Sequence, residues 1–110
     1  MKIYVICSVR NGTPPEVKAY VEKMRAEGHT VYFPTEDAPQ DDPTGCLICF
    51  THLAHMKEAD RIDAFWDVTS FGSHFDLGMT YALGKPVLIV KLYQPDTDGK
   101  SYVKVMESMQ

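Results

Sequence analysis

The sequence predicts an α/β fold: a doubly wound, Rossmann- or flavodoxin-like parallel sheet of four to five strands with helices on both faces. Short apolar runs at residues 2–7 and 87–90 have the composition of strands that are buried on both sides. Segments with helical periodicity separate the runs, and this alternation is typical of parallel βαβ units with right-handed crossovers. The length of 110 residues leaves room for one domain, residues 1–110.

The first strand is followed by a predicted helix. Thr13 is expected to be its N-cap, with Pro14 at the first helical position and Glu16 completing a capping box. An apolar stripe at helical spacing follows, formed by Val17, Tyr20, Val21 and Met24. Gly28 is expected to end the helix, and residues 30–33 to form the second strand.

The rest of the chain is predicted to contain two more strands and three helices. Residues 34–45 are rich in proline and acidic side chains, which indicates a surface loop without regular structure. In the third strand, Ile62, Ala64, Trp66 and Val68 are expected to alternate with residues of the other face. The predicted elements are a helix at 45–59, a strand at 60–68, a helix at 73–83, a strand at 87–90, a polar turn at 95–100 and a last helix from Ser101.

Charge and composition exclude several classes of partner. A net charge of −4 and a pI near 5.4 argue against polymeric nucleic acid, because binding along a phosphate backbone needs a basic face. The apolar run at the start of the sequence is too short, and is followed too soon by polar residues, for a signal peptide or a membrane span. No membrane partner is therefore expected. Three cysteines, an odd number, fit a reducing compartment better than a disulfide framework, and we expect the protein to be cytoplasmic.

Ligand sites in such sheets lie outside the carboxyl ends of the strands, near the point where the strand order reverses. Three segments follow predicted strands here, at residues 7–13, 33–45 and 67–76. In the first, the hydroxyl of Ser8 and the guanidinium of Arg10 precede a helix and suit a small phosphate group. A merely solvated polar loop fits the same residues equally well.

The cysteines and histidines leave further alternatives. Cys7 is either a reactive thiol or, as we favour, a small buried residue. A zinc site is suggested by the run Cys46, Cys49, His52 and His55. Steps of three residues rotate side chains steadily around a helix, so the four cannot converge on one ion and no metal is expected. His52 either faces the ligand site or is a packed or exposed residue.

The most informative segment runs from Ser70 to Gly78. Its carboxylate, Asp76, is expected in the first turn of a helix at the carboxyl edge of the sheet. The spacing Ser73-x-x-Asp76 is that of a capping box, in which Asp76 only accepts hydrogen bonds from free helix amides. The functional alternative is a carboxylate directed at a bound sugar. The spacing alone favours the cap.

The residues of this segment resemble a known family. The pattern Ser70-x-Gly72-x-x-x-Asp76-Leu77-Gly78, followed by Ala82-Leu83-Gly84-Lys85-Pro86, resembles the nucleoside 2-deoxyribosyltransferase family. The opening stretch IYVICSVRNG, residues 3–12, looks like the branch that hydrolyses 2′-deoxynucleoside 5′-monophosphates at the N-glycosidic bond. The resemblance extends from residue 2 to about residue 92, and it is poor in the acidic loop and the tail.

The resemblance implies an enzyme that acts on a small molecule, a nucleoside 5′-monophosphate, and that forms a homodimer; no cofactor is expected. It makes Asp76 the carboxylate that attacks C1′ of the deoxyribose, with Tyr4 in contact with it. By the same matching, Ser8, Arg10 and Ser70 would hold the 5′-phosphate. The substrate site would also include Asn11, Gly12 and Gly72.

Two positions depart from the family pattern. The nucleophile of the family is normally Glu, and Asp76 is shorter by one bond, about 1.5 Å. Misplacement by about 1 Å can lower a rate about a hundredfold. A carboxylate that the family has on the second helix is replaced by His52, which can act as a general acid near neutral pH. The same change fits a site that has lost its chemistry.

Two functions from different classes therefore follow. The first is an N-glycosidase or deoxyribosyltransferase in which Asp76 is the nucleophile and His52 or a water is the acid/base group. The second is a catalytically silent nucleotide-binding domain that retains the phosphate site. A flavin-binding or receiver-like domain is a further alternative, but the first loop lacks both the Ser/Thr-rich pattern of the former and the acidic pair of the latter.

Overall fold

Strands and helices alternate along the chain in the computed structural model, which describes residues 1–110. None of the helices is long and apolar enough to cross a membrane. The elements in chain order are β1 (Lys2–Ile6), α1 (Pro15–Ala26), β2 (Thr30–Tyr32), α2 (Pro34–Asp37), α3 (Cys46–Glu58), β3 (Arg61–Trp66), α4 (Phe71–Leu83), β4 (Val87–Leu92) and α5 (Tyr102–Glu107).

The four strands form one parallel sheet in the order β2-β1-β3-β4. The chain therefore moves outward from β1 to β2, returns across the sheet to β3, and continues outward to β4. This reversal places the carboxyl ends of β1 and β3 side by side, with Ile6 paired to Ala64. The predicted fold class is confirmed, and the loops after β1 and β3 leave the sheet at its topological switch point.

Each face of the sheet is covered by helices and has its own hydrophobic core. On one face α1 packs through Val17 and Val21 against β1, β2 and β3. On the other face α3, α4 and α5 contribute Met56, Leu77 and Met106. Because β1 lies in the middle of the sheet, every residue from Ile3 to Ile6 is buried, which is the physical reason for its unbroken apolar run.

The third strand is shorter and more completely buried than its alternation predicted. It ends at Trp66, and Val68 lies beyond it with half of its surface exposed. Asp63 and Phe65, on the opposite face from Ile62, are as buried as the predicted core positions. The central position of β3 explains this, because helices cover both of its faces.

The expected start of the first helix is wrong by one residue. Pro14 occupies the N-cap position, and no side chain caps the helix. The Thr13 hydroxyl instead donates to the Ser8 carbonyl at 2.8 Å and contacts Thr35 Oγ1 at 2.6 Å, so it stabilises the preceding loop. Gly28, with φ of +95°, follows the helix as predicted.

The acidic segment after β2 is not wholly irregular, contrary to the expectation for residues 34–45. Pro34 begins the short helix α2, whose first amides have no intrahelical partner. Asp37 accepts a hydrogen bond from the Phe33 amide at 2.8 Å, and Arg25 of α1 contacts both Glu36 and Asp37. These exposed ion pairs attach the start of the segment to α1.

A fully buried carboxylate, Asp63, faces α1. Arg61, two residues earlier on the same strand face, donates to its two oxygens at 2.6 and 2.9 Å, and the Tyr20 hydroxyl donates to one of them. The guanidinium supplies the charge that burial of a carboxylate requires. This ion pair is a structural element of the α1 face.

We expect Arg61→Met to lower the free energy of unfolding by about 3 kcal/mol, because it leaves a buried carboxylate without its cation. The matched control is Lys104→Met, which removes only exposed ion pairs, those with Asp96 and Glu107, and should cost about 1 kcal/mol or less. Urea denaturation followed by the fluorescence of the single tryptophan, Trp66, measures both. Equal losses in the two variants would contradict the assignment.

Candidate functional site

Asp76 lies in the second turn of α4 and does not cap this helix. The helix begins at Phe71, two residues before the expected start at Ser73, because Ser70 is the N-cap and its Oγ accepts from the Ser73 amide at 3.3 Å. The predicted capping box of Ser73 and Asp76 is therefore wrong. The Asp76 side chain is free to point away from the helix terminus and into the protein, where it is 7% exposed.

Three elements converge on the Asp76 carboxylate. Tyr4 of β1 donates its hydroxyl to Oδ2 at 2.8 Å, and Nδ1 of His52 on α3 lies 3.2 Å from Oδ1. The helices α3 and α4 pack against each other and against β1, which brings these three residues together across more than seventy positions of sequence. Each oxygen of the carboxylate thus has one partner from another element.

The Tyr4 hydroxyl is held in its protonated form. Burial first, and the neighbouring Asp76 carboxylate second, raise the pKa of Tyr4 well above its usual range. Tyr4 is therefore a hydrogen-bond donor at every physiological pH. It fixes one oxygen of Asp76 without adding a positive charge.

Two residues that the sequence analysis does not assign to the ligand site, Tyr32 and His55, complete the surroundings. The Tyr32 ring stacks on Tyr4 with centroids 5.2 Å apart and on His55 with centroids 4.0 Å apart, and His52 meets it edge-on. Burial, followed by the charges of Asp37 and Asp76, raises the pKa of Tyr32 to about 12. Tyr32 is next to Tyr4 because the two are in register on adjacent strands.

The loop after β1 carries the residues that were predicted to bind phosphate. Ser8 is buried at the end of the strand, whereas Arg10, Asn11 and Gly12 are exposed. Gly12 has φ of +92° and its amide donates to the Val9 carbonyl, which closes a tight turn that favours glycine. Arg10 takes part in none of the chain's salt bridges.

The loop after β3 lies beside it at the same end of the sheet. Ser70 is buried and Gly72 is exposed in the first turn of α4. Ser70 Oγ accepts from both the amide and the hydroxyl of Ser73, the latter at 2.9 Å. Because a hydroxyl has one proton and two lone pairs, the Ser70 proton is not used by these two bonds.

The cysteines lie in different surroundings. Cys7 is buried, and burial raises the pKa of its thiol to about 12, so it is a packed neutral thiol rather than a nucleophile. Cys46 is exposed, while His52 contacts Asp76 and His55 stacks on Tyr32. No group of three or more potential ligands is arranged as a metal ion would need.

Comparison with known proteins gives matches among solved structures. No protein-family model matches the chain, and no curated protein sequence does. A 2-deoxyribosyltransferase from the psychrotolerant bacterium Bacillus psychrosaccharolyticus is similar with a TM-score of 0.70 and 26% identity, over 94% of this chain and 79% of that one. The CMP N-glycosidase of Clostridium botulinum is similar with a TM-score of 0.63 and 18% identity, over 99% and 82%.

Proposed function

We propose that this chain, which shares the fold of the nucleoside 2-deoxyribosyltransferase family and resembles it in sequence, cleaves the N-glycosidic bond of a nucleoside 5′-monophosphate. The observation that carries the proposal is the Asp76 carboxylate, buried at the switch point and held by Tyr4 and His52 rather than by its own helix. The similarity to a 2-deoxyribosyltransferase supports the reaction class, and the fold shared with a CMP N-glycosidase is consistent with it.

Asp76 is the nucleophile in the proposed reaction. Its carboxylate attacks C1′ of the sugar, the C1′–N bond breaks, and the electron pair leaves with the base. The resulting glycosyl ester is cleaved by water in a hydrolase, or by the nitrogen of a second base in a transferase. Tyr4 orients the attacking carboxylate through its 2.8 Å hydrogen bond.

His52 assists departure of the base. Its Nδ1 contacts Asp76, so Nε2 is the nitrogen that remains for the substrate. A protonated imidazole can give its proton to the base as the C1′–N bond breaks, and the neutral imidazole can then take a proton from the incoming water. This role replaces that of the carboxylate expected from the family pattern.

The 5′-phosphate is bound between the loops after β1 and β3. Arg10 is exposed and unpaired, and it offers two parallel donors to phosphate oxygens. Ser8 and the unused proton of Ser70 add neutral donors. The amides of Asn11 and of Gly72, in the first turn of α4, complete the binding site, and Gly12 keeps the turn that presents Asn11.

A specific observation favours the catalytically silent alternative. Both Asp76 oxygens already have partners, and the side chain is one bond shorter than the expected Glu. A nucleotide-binding domain in which this carboxylate is only structural would bind the same ligand without turnover. Release of free base therefore separates the two functions.

We expect the protein to release free base from at least one of a panel of ribo- and 2′-deoxynucleoside 5′-monophosphates. Asp76→Asn keeps the size of the side chain and can still accept from Tyr4, but the amide is not a nucleophile, so release should fall at least a thousandfold. Chromatography measures the base, and calorimetry with the same nucleotide should give a Kd within about threefold of wild type. Base release by the Asn variant at the wild-type rate would exclude Asp76 as nucleophile. If the wild-type protein binds nucleotides but releases base from none of them, the catalytically silent binding domain is the function that remains.

We expect Arg10→Ala to remove the preference for phosphorylated substrates. Loss of a charge-assisted phosphate contact should lower kcat/KM for the nucleotide by about ten- to a hundredfold and leave that for the matching nucleoside unchanged. Lys23→Ala, at an exposed basic position of α1, is the matched control and should change neither. A uniform loss on both substrates would argue against phosphate recognition by Arg10.

We also propose that the chain forms a homodimer through α3 and α4 and that it works in the cytoplasm, which fits its three free cysteines. Large apolar side chains on these helices face solvent: Leu47, Phe50, Phe71 and Phe75 are each more than half exposed. Exposed apolar groups of this kind are typical of subunit contacts.

Phe50→Glu is expected to convert the dimer to a monomer, because it places a charge in the apolar contact. Tyr102→Glu, which alters a side chain of similar exposure on α5, is expected to leave the dimer intact. Light scattering coupled to size-exclusion chromatography measures the mass of each. A wild-type mass near the 12.4 kDa of one chain would refute the dimer.

A further inference from the structure

Two buried side-chain atoms have no hydrogen-bond partner, and they belong to neighbouring rings, one of which contacts Asp76. They are the Tyr32 hydroxyl and Nε2 of His52, on residues that are 8% and 9% exposed. The two rings meet edge-on, with centroids 5.8 Å apart and planes 77° apart. The unsatisfied polar groups of the chain are therefore concentrated at one place.

Such atoms destabilise a protein, because burial removes water and nothing replaces its hydrogen bonds. Elsewhere the fold avoids this cost even for charged groups: Asp63, with no exposed surface, has hydrogen bonds to both oxygens. Tyr4, stacked on Tyr32, also has its hydroxyl paired. Unpartnered polar groups at one end of a candidate site are expected where a ligand supplies the missing bonds.

We propose that Tyr32 is a catalytic residue that hydrogen-bonds the departing base and, together with His52, stabilises the charge that the base acquires. The proposal rests on the proposed function and adds to it the residue that recognises the leaving group. His52 supplies a proton from Nε2, and Tyr32 donates to a carbonyl oxygen or ring nitrogen of the same base.

The chemistry of Tyr32 suits this role. Its pKa of about 12 keeps the hydroxyl protonated and therefore a donor. Its ring is fixed between Tyr4 and His55, so the hydroxyl is oriented before the substrate arrives. As the electron pair of the C1′–N bond moves onto the base, a hydrogen bond from a buried donor strengthens, which lowers the barrier more than it improves binding.

The test compares Tyr32→Phe with Tyr20→Phe, a matched loss of one tyrosine hydroxyl whose partner is the structural Asp63. Two substrates are used: the nucleoside 5′-monophosphate that wild type cleaves best, and 4-nitrophenyl 2-deoxyriboside 5′-phosphate, whose leaving group departs without a proton. Tyr32→Phe should lower kcat on the nucleotide about ten- to a hundredfold with little change in KM, and change the nitrophenyl reaction less than threefold. Tyr20→Phe should leave both values of kcat unchanged.

Thermal melting of the free proteins adds a readout that does not depend on turnover. Tyr32→Phe removes an unpartnered buried hydroxyl and should melt at the same temperature as wild type or higher, whereas Tyr20→Phe should melt lower. Calorimetry with the four 2′-deoxynucleoside 5′-monophosphates should show about three- to tenfold weaker binding of at least one of them to Tyr32→Phe.

The outcomes separate this inference from the proposed function. If the wild-type protein releases neither base nor nitrophenol, the proposed function is refuted. The melting and binding results then show whether Tyr32 contacts the nucleotide. Equal losses of kcat on both substrates, a lower melting temperature for Tyr32→Phe, or unchanged kcat and nucleotide affinity would each overturn the inference. The first two results would mean that the hydroxyl supports the fold.

Discussion

The hydrogen-bonded carboxylate of Asp76 is the interaction on which the site depends. Its partners come from the central strand and from the neighbouring helix α3, so the contact exists only when the sheet and two helices are assembled. The same contact forms a polar centre beside the apolar core on the α3–α4 side of the sheet. Burial of this carboxylate therefore requires its two hydrogen bonds, and the packing of β1, α3 and α4 fixes its position.

Strand order explains why the site lies where it does. The reversal between β1 and β3 sends one loop towards α1 and the next towards α4, so the two loops diverge from neighbouring strand ends and leave a crevice. Arg10 belongs to the first of these loops and Ser70 to the second. In the proposed function, a ligand between the loops would meet a cation and hydroxyls from them, and the Asp76 carboxylate from the body of the protein.

The sequence predicts the fold, and three of the residues it indicates for the site, Tyr4, His52 and Asp76, are in contact in the structure. Apolar runs and helical periodicity predict every strand and the helices α1, α3, α4 and α5, because both are patterns among neighbouring residues. The expected burial of 87–90 on both sides is wrong, since β4 is an edge strand and Leu88 is exposed. The start of α4 differs from the prediction because Ser70 and Ser73 can both cap a helix, and only the folded chain decides between them. With Ser73 as the N-cap, Asp76 would occupy the third position of a capping box, whereas with Ser70 as the N-cap it lies in the second turn.

The sequence does not indicate that Tyr32 belongs to the candidate site, and the reason is a different one. Its position beside Tyr4 and His52 arises from the register that aligns it with Tyr4, from the edge-on packing of His52 against both rings, and from the stacking of His55 on Tyr32. Strand pairing is a long-range property, and a single tyrosine in a three-residue strand carries no signal of it. The sequence does not predict the short helix α2 for the same reason, since its contacts to Arg25 of α1 are tertiary.

The chain buries two carboxylates on opposite faces of the sheet, and their partners differ in a way that matters for chemistry. Asp63 is neutralised by a guanidinium that cannot lose its proton, so its charge is permanently compensated. Asp76 faces a neutral hydroxyl and an imidazole, and only the imidazole can be positive. In the proposed reaction, His52 gives its proton to the base as the sugar becomes cationic. The positive charge beside Asp76 then passes from the imidazole to the sugar, and the carboxylate stabilises the oxocarbenium-like transition state at the moment when its former counter-ion becomes neutral. A guanidinium at the position of His52 would retain its charge and compete with the sugar, which is why a titratable partner suits a nucleophile and a permanent cation suits a structural carboxylate.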